Sequence, residues 1–321
     1  MNLSIIMTLY NRAPYLQYSL GALVAQDCML ESVVDVNILD DGSTDALDSV
    51  LKSASQYFNV NKWVLDRKKV VNQRRFNCPA EAYNILVKLA KNDYILKMDP
   101  EMVLIDRHFL QKGFSMFSDT NNPIIMPFPQ HCSEFNYDGP GGIEAVYKDY
   151  VYDTHITKDN AHDTMVYYMA LFRKRDYVSL GGIDERFMDG IGSEDDHFLS
   201  WWKRNYGKDN FIPLLDSIAV HLYHGGMAES PDKGPVGVPP SLYRWVDQNV
   251  RLRESLEDTP PNQGRDWGRL YDHLHLTQWK EGELVMQDVP LKDTGWVGQE
   301  SIYVSQKEEP KSSWANMVRK K

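Results

Sequence analysis

Residues 33–45 read VVDVNILDDGSTD, and this stretch decides the fold. Val33 to Leu39 reads as a strand, rich in β-branched residues, and it stops at Asp40-Asp41-Gly42-Ser43-Thr44-Asp45. Ser43 or Thr44 suits the N-cap of a following helix, with Leu47, Val50 and Leu51 on its inner face. Upstream, Leu3 to Leu9 reads as a buried strand that runs into Tyr10-Asn11-Arg12. Pro14 to Ala25 then places Leu16, Leu20, Leu23 and Val24 at helical spacing. Downstream, Lys62 to Leu65 suggests a third strand. Asn77-Cys78-Pro79-Ala80-Glu81 opens a helix with Ala82, Ile85, Leu86 and Leu89 at i, i+3, i+4 and i+7. Tyr94 to Met98 is a strand leading straight into Asp99-Pro100-Glu101. This alternation predicts an α/β fold with a Rossmann-like, mostly parallel central sheet flanked by helices. Ligands of such sheets bind at the carboxyl ends of strands. Three polar or acidic turns fall there: Tyr10-Asn11-Arg12, Asp40-Asp41 and Asp99-Pro100-Glu101.

The second half is less regular. Ile124 to Met126 and Met165 to Phe172 read as strands, and Tyr177 to Gly190 contains a Gly-Gly turn. Ser193 to Arg204 reads as a helix and Ser217 to Tyr223 as a strand. Ala228 to Pro240 shifts to Pro, Gly and Ser, the composition of a mobile loop or linker. Leu242 to Leu256 reads as a helix, and Asp258 to Lys321 is polar and tryptophan-dotted with little periodicity.

A chain of 321 residues that is 42% hydrophobic and 25% charged has material for an ordinary core. Its net charge of -10 argues against a broad basic surface for nucleic acid or anionic lipid, though not against a local basic groove. The three cysteines, Cys28, Cys78 and Cys132, form no CxxC pair and read as thiols in a reducing compartment. The N-terminal apolar run is too short for a signal peptide, and no segment nears the ~20 apolar residues of a membrane span. These features predict a cytoplasmic protein, with weak peripheral membrane contact through Trp314 to Lys321 left open.

Four constellations carry possible chemistry. Asp40-Asp41 after a strand suits hydrogen bonding to a uracil N–H or a ribose hydroxyl, and equally suits an ordinary strand-to-helix turn. Asp99-Pro100-Glu101 places two acids one residue apart, where their oxygens can hold a hard divalent cation. Such a cation neutralises a bound diphosphate and makes it a better leaving group. A solvated acidic turn has the same sequence. Ser193-Glu194-Asp195-Asp196 puts three acids in a helix's first turn, which the helix dipole alone would favour. One of them also fits a general base that takes an acceptor hydroxyl's proton. Crowded charges raise such a carboxylate's pKa. His221-Leu222-Tyr223-His224 ends an apolar strand, and imidazole is a good ligand for manganese or plain strand-end hydrogen bonding.

The order of these motifs, Thr8-Leu9-Tyr10-Asn11-Arg12, then Asp40 to Asp45, then Asp99-Pro100-Glu101, resembles the family 2 glycosyltransferases. The stretch from Gly181-Gly182-Ile183-Asp184-Glu185 to Gly192-Ser193-Glu194-Asp195-Asp196 resembles the region shared by β-1,4-galactosyltransferases and polypeptide N-acetylgalactosaminyltransferases. The resemblance covers about residues 1–226. It implies a GT-A fold, a nucleotide diphosphate sugar donor (taken as a UDP-sugar because relatives use it most often), a divalent metal, Mn2+ or Mg2+, and inversion. By position it places Thr8, Tyr10, Arg12, Asp40 or Asp41, Arg74 and Asp99 around the donor. Asp99 and Glu101 take the metal, Glu101 standing where the family has a second Asp. Asp195 stands as catalytic base, with Glu194 orienting the acceptor. His224 is the first choice of metal histidine and His221 the second. Arg75 and Asn84 are weaker candidates near the donor. The implied organisation is a GT-A domain over 1–226, with a nucleotide-sugar half (1–105) and an acceptor and catalytic half (106–226), then a helical and irregular extension over 227–321.

A sugar-1-phosphate nucleotidyltransferase would want a glycine-rich basic loop after the first strand, and Tyr10-Asn11-Arg12-Ala13-Pro14 has no glycine. A non-catalytic sugar-binding protein on a decayed scaffold is opposed by the joint presence of Asp99, Glu101, Asp195 and His224. A glycan is the default acceptor, and hydroxymethylated bases of phage DNA are the alternative. DNA would call for a basic groove, for which Arg244, Arg251, Arg253, Arg265 and Arg269 are candidates. They alternate with Glu254, Glu257, Asp258 and Asp266, which favours a solvated helical face. Trp245, Trp267, Tyr271 and Trp279 can stack on a sugar or base, though core packing is their commoner use.

Overall fold

Strand β1, Asn2–Leu9, buries Leu3, Ile5, Ile6 and Met7 almost completely. A strand covered on both faces reads as a continuous apolar run, which is why this segment does not alternate. Successive residues still point to opposite faces: Ile5 and Met7 join one apolar core and Ile6 the other. We describe a computed structural model covering residues 2–27, 33–65, 78–119, 121–131, 160–161, 167–222, 243–263, 265–268 and 274–290.

The chain continues through α1 (Ala13–Val24), β2 (Val33–Asp40), α2 (Leu47–Ala54) and β3 (Asn59–Leu65). Helix α3 (Ala80–Leu89), β4 (Tyr94–Met98), β5 (Met102–Leu104) and α4 (Phe109–Ser115) follow. Then come β6 (Ile124–His131), β7 (Met169–Arg173), α5 (Lys174–Ser179), a 3-10 turn (Glu185–Asp189), α6 (Glu194–Tyr206) and β8 (Phe211–His221). Helix α7 (Tyr243–Ser255) and strands β9 (Leu274–Lys280) and β10 (Glu283–Pro290) complete the described elements.

The strands form one sheet in the order β10-β9-β3-β2-β1-β4-β7-β6-β8-β5. Its centre, β3-β2-β1-β4, is parallel, as the βαβ pattern predicts. Outward of that centre the sheet is mixed, with β7 antiparallel to β4 and β6, and β8 parallel to β6. Helices α1, α2 and α4 cover one face through Leu16, Leu20, Leu51 and Phe109. Helices α3, α5 and α6 cover the other through Tyr83, Leu86, Tyr177, Phe198 and Trp202. Both layers follow from the helical spacing of their apolar residues.

Two local expectations fail. Ser43 and Thr44 do not cap α2, whose N-cap is Ala46 without a side-chain bond. They brace the β1–α1 turn instead: Asn11 N donates to Ser43 Oγ at 2.9 Å, and Thr44 N donates to Asn11 Oδ1 at 2.8 Å. Asp45 Oδ2 accepts from Ala13 N at 2.8 Å, so Asp45 caps α1 from the neighbouring turn. Ser193 stands at the N-cap of α6 in a left-handed conformation (φ 71°) and makes no side-chain cap bond.

The extension over 227–321 is not helical and irregular only. Its strands β9 and β10 form a hairpin that extends the sheet, β9 running antiparallel to β3 with Leu276 opposite Trp63. The hairpin closes through Glu281 and Gly282, whose φ values of 52° and 82° carry the signs of a type I′ turn. No helix among the described residues is long and apolar enough to cross a membrane.

Candidate active site

The C-terminal ends of β1, β2 and β4 lie on one edge because the three strands are parallel. Two antiparallel steps, β4 to β7 and β7 to β6, followed by a parallel one to β8, bring the end of β8 to that same edge. Residues far apart in sequence therefore meet. Glu101 and His221 are joined by the pairing of Met102 with His221 and by Leu222 N donating to Glu101 O at 3.0 Å. Their side chains stand 3.8 Å apart, His221 Nε2 to Glu101 Oε1. Arg12 Nε lies 3.8 Å from Glu101 Oε2, so the β1 turn reaches the same carboxylate.

Asp99 is held more tightly. Its Oδ1 accepts from Tyr83 Oη at 2.7 Å and from Lys97 Nζ at 2.8 Å. Thr8 hydrogen-bonds Tyr83 in turn, so Thr8, Tyr83 and Asp99 form a chain of polar contacts. Burial and the neighbouring Asp99 push the Tyr83 phenol well up, which keeps it a proton donor to that carboxylate.

Glu194 and Asp195 open α6 across the cleft. Burial, then Asp195, raise the Glu194 pKa to about 7, against a smaller opposing pull from Lys97. Burial, then Asp196, raise the Asp195 pKa; Asp99 adds to this, and Lys97 opposes it. Asp99 and Asp195 thus lie within each other's field. Glu194 Oε2 is buried with no hydrogen-bond partner among the described residues. Asp196 faces outward and pairs with Arg253 Nη1 at 2.6 Å, so its carboxylate acts on Asp195 through its charge alone.

Other candidates fall variously. Asp40 is 4% exposed and accepts from Ser43 N at 2.8 Å, so it shapes its own turn. Asp41 is half-buried beside it, its N–H donating to Leu9 O at 2.9 Å. Tyr10 is 50% exposed at the rim. Asn84 does not face the donor side: it binds the Tyr177 hydroxyl at 2.6 Å and the Ile183 N–H at 2.9 Å, fixing the turn after α5. Trp279 packs in the core, and Trp267 lies half-buried beneath the Lys88 ammonium, 3.8 Å from its ring. Arg74, Arg75, His224, Arg269 and Tyr271 lie outside the described residues.

Lys97 was missed by the sequence reading. It is 4% exposed, its ammonium hydrogen-bonds Tyr167 O, and it stands 4.6 Å from the Tyr83 ring and 4.8 Å from the Tyr167 ring. A cation in a strand otherwise apolar, two residues before an acid, was the available signal. It is the positive charge facing Asp99, Glu194 and Asp195.

The model of the family described as "Glycosyl transferase family 2" matches residues 4–181, more than half of the chain. The chain belongs to that family. Its sheet and helices form the GT-A fold. S. aureus TarS 1-349 in complex with UDP-GlcNAc is similar with a TM-score of 0.54 at 16% identity, over 85% of this chain and 70% of that one. The structure of S. aureus TarS gives 0.53 at 15% identity, over 85% of this chain and 42% of that one. Mannosyltransferase PcManGT from Pyrobaculum calidifontis, in complex with GDP-Man and Mn2+, gives 0.46 at 17% identity, over 68% of this chain and 56% of that one. This chain spans 60% of the TarS 1-349 chain in one structure and 42% of the TarS chain in another. No curated protein matches it. The family match ends at Gly181, so it does not reach the Gly192–Asp196 stretch behind the galactosyltransferase resemblance.

Proposed function

We propose that this family 2 enzyme transfers a sugar from a nucleotide diphosphate donor, a UDP-sugar, to a hydroxyl of a glycan, with inversion at the anomeric carbon. The observation that carries this reading is Asp195 in the first turn of α6, a carboxylate with a raised pKa within the fields of Asp99 and Lys97. In that position Asp195 accepts the proton of the acceptor hydroxyl as its oxygen attacks the anomeric carbon. The bond to the diphosphate breaks in the same displacement, and the stereocentre inverts. Glu194, held partly protonated near neutrality, orients the acceptor hydroxyl.

Thr8, Tyr10, Arg12, Asp40 and Asp41 sit at the ends of β1 and β2, where a nucleotide would lie along the edge. Arg74 is assigned to the diphosphate by resemblance alone. Two carboxylates and an imidazole, Asp99, Glu101 and His221, offer the donor chemistry that suits Mn2+ or Mg2+, with His224 joining by resemblance. Among the described residues no three such groups close a cation site by themselves. When bound, the cation neutralises the departing diphosphate. Residues 1–226 form the transferase domain in this reading and 227–321 the extension, and the protein works in the cytoplasm.

The test is release of nucleoside diphosphate from a panel of UDP-sugars with Mn2+, for the wild type and for Asp195→Asn. Release by the wild type and its loss in the variant supports the reading. Equal release by both removes Asp195 from the mechanism. No release from any UDP-sugar refutes the proposed donor.

A further inference from the structure

Helix α7 shows two working faces. One carries Asn249, fully buried, whose Nδ2 donates to Phe187 O at 3.0 Å and Gly192 O at 2.7 Å and so grips the loop that leads into Glu194 and Asp195. The adjacent face carries Arg244, Asp247, Gln248, Arg251, Leu252 and Ser255 at helical spacing. Together with Arg186 and Arg265 these residues line a groove of about 790 Å³. Four guanidiniums and one carboxylate line this groove; with Arg186 paired to Asp184 and Asp247 beside Arg251, two positive charges remain in excess, in a chain whose net charge is -10. Such a local reversal of sign focuses an attractive field on anions.

The groove has fixed parts. Arg186 Nε is clamped by both oxygens of the buried Asp184, at 2.9 and 3.0 Å, and Arg186 Nη2 donates to Pro260 O at 3.3 Å. The Arg244 guanidinium lies 4.5 Å over the Trp245 ring. Arg251 is 80% exposed and only 3.7 Å from Asp247, a loose pairing that leaves most of its donors to solvent. Arginine's planar fork matches the oxygens of phosphate and carboxylate in pairs.

We propose that this groove binds an oxyanion, phosphate or carboxylate, carried by the acceptor glycan beyond the hydroxyl that receives the sugar. That the anion belongs to the acceptor rests on the transferase reading above; the anion site itself does not. One helix, α7, both lines the groove and holds the loop that leads into Glu194 and Asp195. Glu254, Glu257, Asp258 and Asp266 break up the basic surface, which favours spaced charges on a glycan over a continuous nucleic-acid backbone.

The test is calorimetric titration at low salt with oligosaccharides of equal length: neutral maltotetraose, tetragalacturonate and a phosphorylated mannose oligomer, plus a single-stranded oligonucleotide of matched charge. The proteins are the wild type and the triple variant Arg244→Gln, Arg251→Gln, Arg265→Gln. We expect charged oligosaccharides to bind the wild type and to lose about tenfold or more in the variant, with maltotetraose unaffected. The preferred charged ligand tells phosphate from carboxylate. Equal binding of neutral and charged ligands, no binding of charged ones, or no change in the variant overturns the proposal. Tighter binding of the oligonucleotide replaces a glycan with a nucleic acid. UDP-sugar hydrolysis should be unchanged in the variant, which also checks its folding. Groove binding without hydrolysis of any UDP-sugar by the wild type would leave the anion site standing and refute the proposed donor.

Discussion

Lys97 Nζ stands 2.8 Å from Asp99 Oδ1, and the same buried ammonium opposes the raised pKa values of Glu194 and Asp195 across the cleft. One cation therefore pairs with Asp99 and opposes the rise at both acids that open α6. Replacing it by an apolar residue of similar length, Lys97→Met, removes that opposing pull from Glu194 and Asp195. Their pKa values rise further, and the acidic limb of the pH–rate profile moves to higher pH. A shift of about one unit lowers turnover about tenfold on that limb, below the shifted pKa. The pH dependence of kcat/KM in both proteins measures it.

Glu194 makes stability depend on pH in a definite direction. Its folded pKa is about 7, above the ordinary value of 4.5 for this group, so the native state binds the proton more tightly than the unfolded chain. That contribution is fully present below the unfolded value and is lost as pH rises through the folded one. Glu194→Gln removes it. Relative to the variant, the wild type should lose stability between about pH 5 and about pH 8, read as a falling urea midpoint at constant slope. A constant difference between the two proteins over that range contradicts the assignment.

Asn249 holds the loop before Glu194 and Asp195 from a separate helix. An alanine Cβ at Gly190 would meet Asn249 Oδ1 at 2.1 Å, so this contact also explains the glycine. Asn249→Leu strands the carbonyls of Phe187 and Gly192 and should cost about 1–3 kcal/mol in denaturant unfolding. Because the loop leads into the proposed catalytic acids, Glu194 and Asp195, kcat should fall more than KM for the donor rises.

Asp45 caps α1 across the turns, and the same turns place Tyr10 and Arg12. Asp45→Ala should lower stability by about 1 kcal/mol, as loss of a helix cap does. It should also weaken UDP binding, which a titration measures.

The strands and helices of the first hundred residues were legible because their apolar spacing carries local information: β1, β2, β4, α1 and α3 fall where their patterns put them. Asp99, Glu101 and Asp195 were visible as acids at element ends. What was not legible is what depends on distant contacts. Ser43 and Thr44 look like caps for α2 because capping preference is local, yet the neighbouring β1 turn recruits them. The hairpin β9–β10 alternates only weakly, since Leu274, Leu276 and Trp279 are buried but so is Thr277. Its place beside β3 is a pairing between residues some two hundred positions apart. Lys97 was hidden inside an apolar strand, where only the carboxylates around it show its purpose.

The most direct test of one shared site is a titration of UDP in the presence of Mn2+ into the wild type, an Asp99→Asn, Glu101→Gln double variant, and Asp195→Asn. The account predicts that the double variant loses at least about tenfold in affinity, as removal of charged ligand contacts does, while Asp195→Asn binds UDP like the wild type yet turns over no donor. UDP affinity unchanged in the double variant, or lost in Asp195→Asn alone, would contradict it.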